Sequence, residues 1–291
     1  MVSNASQRAQ VRPLTLADAA RAAELAKAIG WTQSKSDWER AIRIADGGAI
    51  GIEQDGELAA VGVTTMYGQQ RAWVGRVITH PDYQRRGHAK RIMEALMELM
   101  DKRGIREIML DASELGHPLY EQLGFRSLYL IEGWSGDVRV EPQKQARLIE
   151  ESDIPAVVNL DAAVFGAARP QVIGALLDSL PETGWVDENP SGNRLSGFIL
   201  VILKEGPYAR IGPWVHNSPQ GAERLFRTAV TALGVEQVRI DIPEQNISAK
   251  AIAYECNLRP QRSCIRMIYG DVQPTEIRVE DTYAIASFAW G

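Results

Sequence analysis

The sequence predicts an α+β chain made of two copies of one fold. Three observations carry that expectation: alternating apolar segments paired about tight turns, helical segments inserted between strands, and a second half that repeats the element order of the first. A chain of 291 residues can form one large core or two small ones, and the repeat selects two.

The elements follow in order. A short strand is expected around Val11-Arg12, then a helix through "LTLADAARAAELAKAIGW" with Thr15 or Asp18 as N-cap and Gly30 as stop. A second helix runs from Ser36 to Ala45, opened by a Ser36/Glu39 capping box. "GAIGIEQDGELAAVGVTTMY" alternates about Asp55-Gly56, which reads as a hairpin, and another strand covers Ala72 to Thr79. From Ala89, the residues Ile92, Met93, Leu96 and Met100 keep helical spacing, and this Met-rich stripe reads as core. Gly104 ends that helix, "REIMLDA" is a strand, "HPLYEQL" a short helix stopped at Gly124, and "FRSLYLIEGW" a returning strand.

The polar passage "SGDVRVEPQKQ" is the best linker, which divides the chain into domains 1–138 and 139–291. Beyond it, two strands meet about Glu205-Gly206, followed by the helix "AERLFRTAVTAL", the strand "EQVRIDI", the helix "SAKAIAYECNL" and the strand "SCIRMIYG". Each copy is thus a mixed, mostly antiparallel sheet flanked by helices.

Composition excludes several classes. The net charge of −5 argues against nucleic acid as a partner, since phosphate binding needs a clustered basic face. Cys256 and Cys264 have neither metal-ligand spacing nor a disulfide framework, and read as buried thiols in a reducing compartment. The start lacks an apolar leader and "FILVILK" is too short to span a bilayer, so a cytoplasmic protein without a membrane partner is expected.

The informative stretch is "VITHPDYQRRGHAKRIM", Val77 to Met93. Between a strand and a helix, a Gly-containing loop exposes N–H groups that the first helical turn cannot satisfy, and they converge on one spot. The first turn holds no acidic residue, while Arg85, Arg86, Lys90 and Arg91 add positive charge, and Gly87 and Ala89 let a ligand approach the backbone. The expected guest is a pyrophosphate. A solvated basic turn is the plain alternative; Walker and dinucleotide patterns are absent.

Gln84-Arg85-Arg86-Gly87-His88-Ala89 resembles the acetyl-coenzyme A signature of the GNAT acetyltransferases, Gln/Arg-x-x-Gly-x-Gly/Ala. The second signature of that family follows as "LYEQLGF", Leu119 to Phe125. "LDASELGHPLYEQLGF" is similar to the tandem-GNAT YitH-like group, and the terminal "YAIASFAWG" resembles the end of that group's second domain. The resemblance implies a cytoplasmic, two-domain N-acetyltransferase that moves an acetyl group from acetyl-CoA directly to a primary amine of a small molecule, with no metal. It implies that Val77, Ile78 and Thr79 pair through backbone groups with the pantetheine arm. Gln84, Arg85, Arg86, Gly87, His88, Ala89 and Lys90 would hold the phosphates, His88 chiefly through its amide.

In the same resemblance Tyr120 lies by the thioester sulfur, binds the coenzyme and serves as general acid; the alternative is an aromatic packed beneath it. Asp111 and Glu114 are the candidate bases, with Asp111 equally open to a capping role and a water chain a further option. Trp31, Trp38, Trp73 and Tyr67 either line an acceptor pocket or belong to the core. The second copy has lost the motif: "HNSPQGA" lacks the arginines, and Ala253 stands where Tyr120 does. That copy is expected to bind no coenzyme, and either completes the acceptor pocket or is a structural remnant. A non-catalytic acyl-CoA-binding module and a peptide or protein acetyltransferase are the other readings, and a homodimer is compatible with the sequence.

Overall fold

A computed structural model describes residues 9–141, 145–179, 182–189, 194–203 and 208–291. The chain forms two compact units, Met1–Leu110 and Asp111–Gly291.

The first unit contains β1 (Gln10–Pro13), α1 (Ala19–Ala28), α2 (Lys35–Ala45), β2 (Ala49–Gln54), β3 (Glu57–Tyr67), β4 (Arg71–Thr79) and α3 (His88–Lys102), with β5 (Glu107–Ala112) crossing its boundary. The strands lie in chain order; β1 to β4 are antiparallel, and β5 runs parallel to β4. Asp55 and Gly56 both take positive φ, 54° and 84°, as a tight hairpin of this twist requires. Thr15 opens the first helical stretch in a box with Asp18. The box at α2 is Ser34 with Asp37, two residues ahead of the Ser36/Glu39 pair expected; both pairs fit the pattern, and only Ser34 has the extended backbone a cap needs. Ile92, Met93, Leu96 and Met100 of α3 are fully buried, so the methionine stripe is core. Gly62 on β3 permits this packing, since a Cβ there would lie 2.3 Å from an Ile92 methyl.

The second unit contains α4 (His117–Gln122), β6 (Phe125–Asp137), β7 (Arg147–Leu148), α5 (Ile154–Phe165), α6 (Pro170–Ser179), β8 (Gly184–Glu188), β9 (Leu195–Leu203), β10 (Tyr208–His216), α7 (Pro219–Leu233), β11 (Gln237–Pro243), α8 (Ile247–Glu255), β12 (Arg259–Tyr269) and β13 (Thr282–Ala284). Its sheet order is β12-β6-β11-β10-β9-β8-β7, with β13 added to β10. Val238, Ile240 and Ile242 of β11 bury one sheet face against Ala222 and Leu225 of α7 and Ala249 and Ile252 of α8.

Two sequence expectations change here. Ser135 to Asp137, expected in a linker, extend β6, because their backbone pairs with Gln237 to Arg239 and ladder bonds outweigh the polar composition. The turn at Glu205-Gly206 lies outside the described residues. Strand β6 belongs to the first sequence copy yet pairs with β11 and β12 of the second. Compact units and sequence copies therefore divide at different points, residue 110 and residue 138.

Candidate active site

The loop that the sequence singles out for an anion joins β4 to α3. Strand β4 pairs with β5 only from Arg71 to Val74, opposite Glu107 to Leu110. The buried Arg71–Glu107 ion pair, 2.7 Å, fastens the first rung of that ladder. Beyond Val74 the β3–β4 register slips by one residue between Val61 and Val63, and Arg76 takes a positive φ of 53° in the resulting bulge. Among the described residues, Gly75 to Thr79 then pair with β3 alone, which leaves the other backbone edge of Val77 to Thr79 without a strand. The Thr79 hydroxyl is buried there without a hydrogen-bond partner.

At the end of the loop, Gly87 is the N-cap of α3 in the left-handed conformation, φ 79°; it gives no side-chain cap, and the first turn holds no acidic residue. The N–H groups of His88, Ala89 and Lys90 thus remain available at the positive end of a fifteen-residue helix. Gln84 to Gly87 are exposed, and nothing lies within 4 Å of where a Gly87 Cβ would stand. The predicted cations separate in role. Arg86 donates to the Asp82 carbonyl and lies over the Tyr83 ring, Arg91 donates to the Ala9 carbonyl, and Lys90 faces Glu94 at 3.8 Å. Arg85 is exposed and makes no polar contact among the described residues. The His88 ring is buried with neither nitrogen bonded, and burial, then Arg91 and Arg86, holds it below the ordinary histidine value, so it is neutral at pH 7.

The second copy repeats the framework and closes it. Strand β10 pairs with β11 from Tyr208 to Ile211, then slips register before Trp214, as β4 does after Val74. Here β13 occupies the edge that β4 leaves open: Ala284 and Thr282 pair with Trp214 and Val215, and the Ile285 N–H donates to the Asp241 carbonyl on β11. The N-terminus of α7 is likewise filled. The Ser218 hydroxyl accepts from the Gly221 N–H, His216 Nδ1 accepts from the Ser218 N–H, and His216 Nε2 meets Asp187 at 3.0 Å. The imidazole sits so close to the first turn that a Cβ on Gly221 would lie 2.0 Å from it.

Tyr120, Asp111 and Glu114 all belong to the second unit. Tyr120 is half-buried on α4, edge-on to Phe125 with ring centres 6.0 Å apart. Burial pushes its hydroxyl up to about 12, with Cys264 adding to the lift, so it carries its proton at neutral pH. The Asp111 side chain is fully buried, and both its oxygens accept from the Arg266 guanidinium, at 2.9 and 3.1 Å. Burial raises this carboxyl while Arg266 pulls the other way. Glu114 is exposed. The aromatics expected at an acceptor pocket divide: Trp38, Trp73 and Tyr67 are core, and Trp31 is half-buried. Sequence reasoning missed Arg266, whose signal was a charge at an inward position of the apolar strand "SCIRMIYG". It also missed β13, too short for any periodicity to show.

Comparison with known proteins fits this geometry. The model "Acetyltransferase (GNAT) family" matches residues 17–125, and "Acetyltransferase (GNAT) domain" matches 157–284. The chain belongs to the GNAT acetyltransferase family. It is a tandem GNAT protein, with one match in each sequence copy. A [Ribosomal protein bS18]-alanine N-acetyltransferase of Escherichia coli K12 is 31% identical over 77 residues, 25% of this chain and 51% of that protein. The chain spans about half the length of the curated relatives it matches. Among solved structures, a Pyrococcus horikoshii chain described as a candidate acetyltransferase is similar over 98% of this chain and 96% of its own, with TM-score 0.81 and 24% identity. A tandem GNAT protein from the clavulanic acid biosynthesis pathway covers 92% of this chain and 100% of its own, with TM-score 0.63 and 15% identity. A GCN5-related N-acetyltransferase from Sphaerobacter thermophilus covers 90% and 95%, at 0.65 and 17%. At such identities the structures show a shared fold. GNAT proteins in general use acetyl-CoA as co-substrate, and the open, uncapped α3 terminus with the unpaired edge of Val77 to Thr79 suits its two anionic and amide-bearing parts.

Proposed function

We propose that this GNAT protein transfers an acetyl group from acetyl-CoA directly to the primary amine of a small molecule, and that the first sequence copy alone, residues 1–138, supplies the coenzyme site. The observation that carries the reading is the uncapped, acid-free N-terminus of α3 beside the exposed Arg85. Backbone amides of Gly87, His88 and Ala89 hold the pyrophosphate, Gln84, Arg85, Arg86 and Lys90 surround it with donors, and the edge of Val77, Ile78 and Thr79 pairs with the pantetheine amides. An N–H on that edge polarises the acyl carbonyl. Tyr120 holds a proton at its hydroxyl and gives it to the departing sulfur.

Asp111 gives both oxygens to Arg266, so its role in this reading is to hold that arginine, and the exposed Glu114 or a water carries away the proton from the amine. A second reading takes support from the Escherichia coli relative, whose name specifies an alanine of a ribosomal protein: the acceptor would then be the α-amine of a protein N-terminus.

Calorimetry with acetyl-CoA, and thiol release across a panel of amines and N-terminal peptides, test these statements together. Tyr120→Phe should lower kcat by about 100-fold with coenzyme affinity unchanged, the size of a lost general acid. Unchanged turnover would remove Tyr120 from the chemistry. Coenzyme binding without transfer to any amine would support a non-catalytic binding module instead.

A further inference from the structure

The sheet face opposite the α7/α8 core carries charge. On β11, Val238, Ile240 and Ile242 enter that core, so Arg239 and Asp241 stand on the other face. Arg210 is the register partner of Arg239 on β10, and Gly133 the partner of Asp241 on β6. Asp241 is 1% exposed. One of its oxygens accepts from Arg210, and the other from Arg239 Nε and Nη2, at 3.2 and 2.9 Å. The Phe288 ring lies against both guanidiniums, 6.0 and 5.7 Å from centroid to carbon.

One carboxylate therefore faces two guanidiniums. The neighbouring pair, Arg266 with Asp111, is charge-balanced, and Arg266 also donates to the Tyr129 hydroxyl. Arg210 Nε is buried and has no hydrogen-bond partner. Both side chains remain accessible, 23% for Arg210 and 28% for Arg239. If their purpose were only to neutralise Asp241, one arginine would suffice, and a second would add a desolvation cost without a partner. Gly133 is required at this rung: a Cβ there would stand 2.6 Å from the Arg262 carbonyl and 3.2 Å from both the Arg239 guanidinium and the Asp241 carboxylate, so no side chain comes between the two charges. Cys264 is in electrostatic reach of Tyr120 and also of Asp241 and Arg239.

Resting on the acetyl-transfer reading, we propose that Arg210 and Arg239, seated on Phe288 and oriented by Asp241, bind an anionic group of the acceptor, so that the acceptor is an amine carrying a carboxylate or a phosphate. Planar guanidiniums held in place present paired donors that match either oxyanion, with more specificity than a lysine offers. Asp241 is a positioning residue here, since it fixes the two forks from below.

The test uses the full chain in two arms. In the first, acetyl transfer is compared within matched pairs, β-alanine against propylamine and aminoethyl phosphate against ethylamine. The anionic member of at least one pair should be preferred by about 10-fold or more in kcat/KM, the scale of one charge-assisted hydrogen bond, and the preference should lie in KM. Arg239→Gln and Arg210→Gln should each remove most of it while the neutral amine is used as before; Arg239→Lys should keep part. Which pair shows the preference tells carboxylate from phosphate. In the second arm, propionate and inorganic phosphate are titrated by calorimetry without coenzyme. Saturable binding of one of them, weakened about 10-fold or more in either Gln variant of native melting temperature, supports the site even if no amine is acetylated. Equal use of both members in both pairs, a preference that survives both Gln variants, or no binding of either anion where no amine is acetylated, overturns it.

Discussion

The two strand–loop–helix segments of this chain, β4 to α3 and β10 to α7, share a framework and differ in who satisfies it. Each has a four-residue parallel ladder, a register slip, and a fifteen-residue helix. In the first, the edge of Val77 to Thr79 has no second strand and the helix terminus no side-chain cap among the described residues. In the second, β13 takes the edge, and Ser218, His216 and Asp187 take the terminus. The two copies therefore differ by more than motif residues: unsatisfied backbone groups need partners, and in the second copy the chain supplies its own. Even the following helices agree in register, with Gly124 and Asn257 both left-handed at their stops, so Ala253 falls where Tyr120 stands and Tyr254 projects outward beside Arg259.

The largest separation of the two copies should come from the base of each ladder. Glu107→Ala removes the carboxylate that pairs with the buried Arg71, and should cost about 3–5 kcal/mol in chemical denaturation. Gln237→Ala, at the corresponding rung, removes an exposed hydrogen bond to Asp137 and should cost less than about 1 kcal/mol. Equal losses would mean that the parallel ladders are not fastened differently.

Next comes the strap. Asn246 donates to the carbonyls of Val279, Glu280 and Thr282 and caps α8 through the Ala249 N–H. Asn246→Ala should cost about 2–4 kcal/mol and raise hydrogen exchange at residues 282–285, with acetyl-CoA affinity unchanged. If exchange there stayed native, Asn246 would not be what holds β13.

A smaller effect addresses the open terminus. Gly87→Asp puts an acid at the N-cap of α3 and makes it resemble its closed counterpart; acetyl-CoA affinity by calorimetry should fall about 10–100-fold. Ser218→Gly in the second copy should create no binding, because β13 still fills the edge. The smallest effect is a pH dependence. His88 and His216 are both held below 6.5, chiefly by burial, so as pH falls through 6.5 the unfolded chain takes up protons before the folded one. Stability should be full above that value and decline below it. His88→Gln should flatten the slope of melting temperature between about pH 7 and pH 5.5 without loosening any cap, since His88 bonds to nothing; His216→Gln should flatten it and also unseat the α7 terminus.

The sequence by itself determined the α+β class, the duplication, the order of the strands and helices from β1 to β6 and from β9 to β12, and the loop from Gln84 to Ala89. These are local: alternation, helical spacing, a Gly at a helix start and the absence of an acid near it are properties of neighbouring residues. It named Asp111 and Tyr120 as candidates but could not see that Arg266, 155 positions away, holds both oxygens of Asp111. The insertion of β6 between β11 and β12, the self-filling of the second copy by β13, and the gathering of Arg210, Arg239 and Asp241 on one sheet face were decided only by tertiary structure. The physical reason is common to all three. A backbone N–H or a buried charge specifies that it must have a partner, and only the folded chain determines which residue, near or far in sequence, provides it.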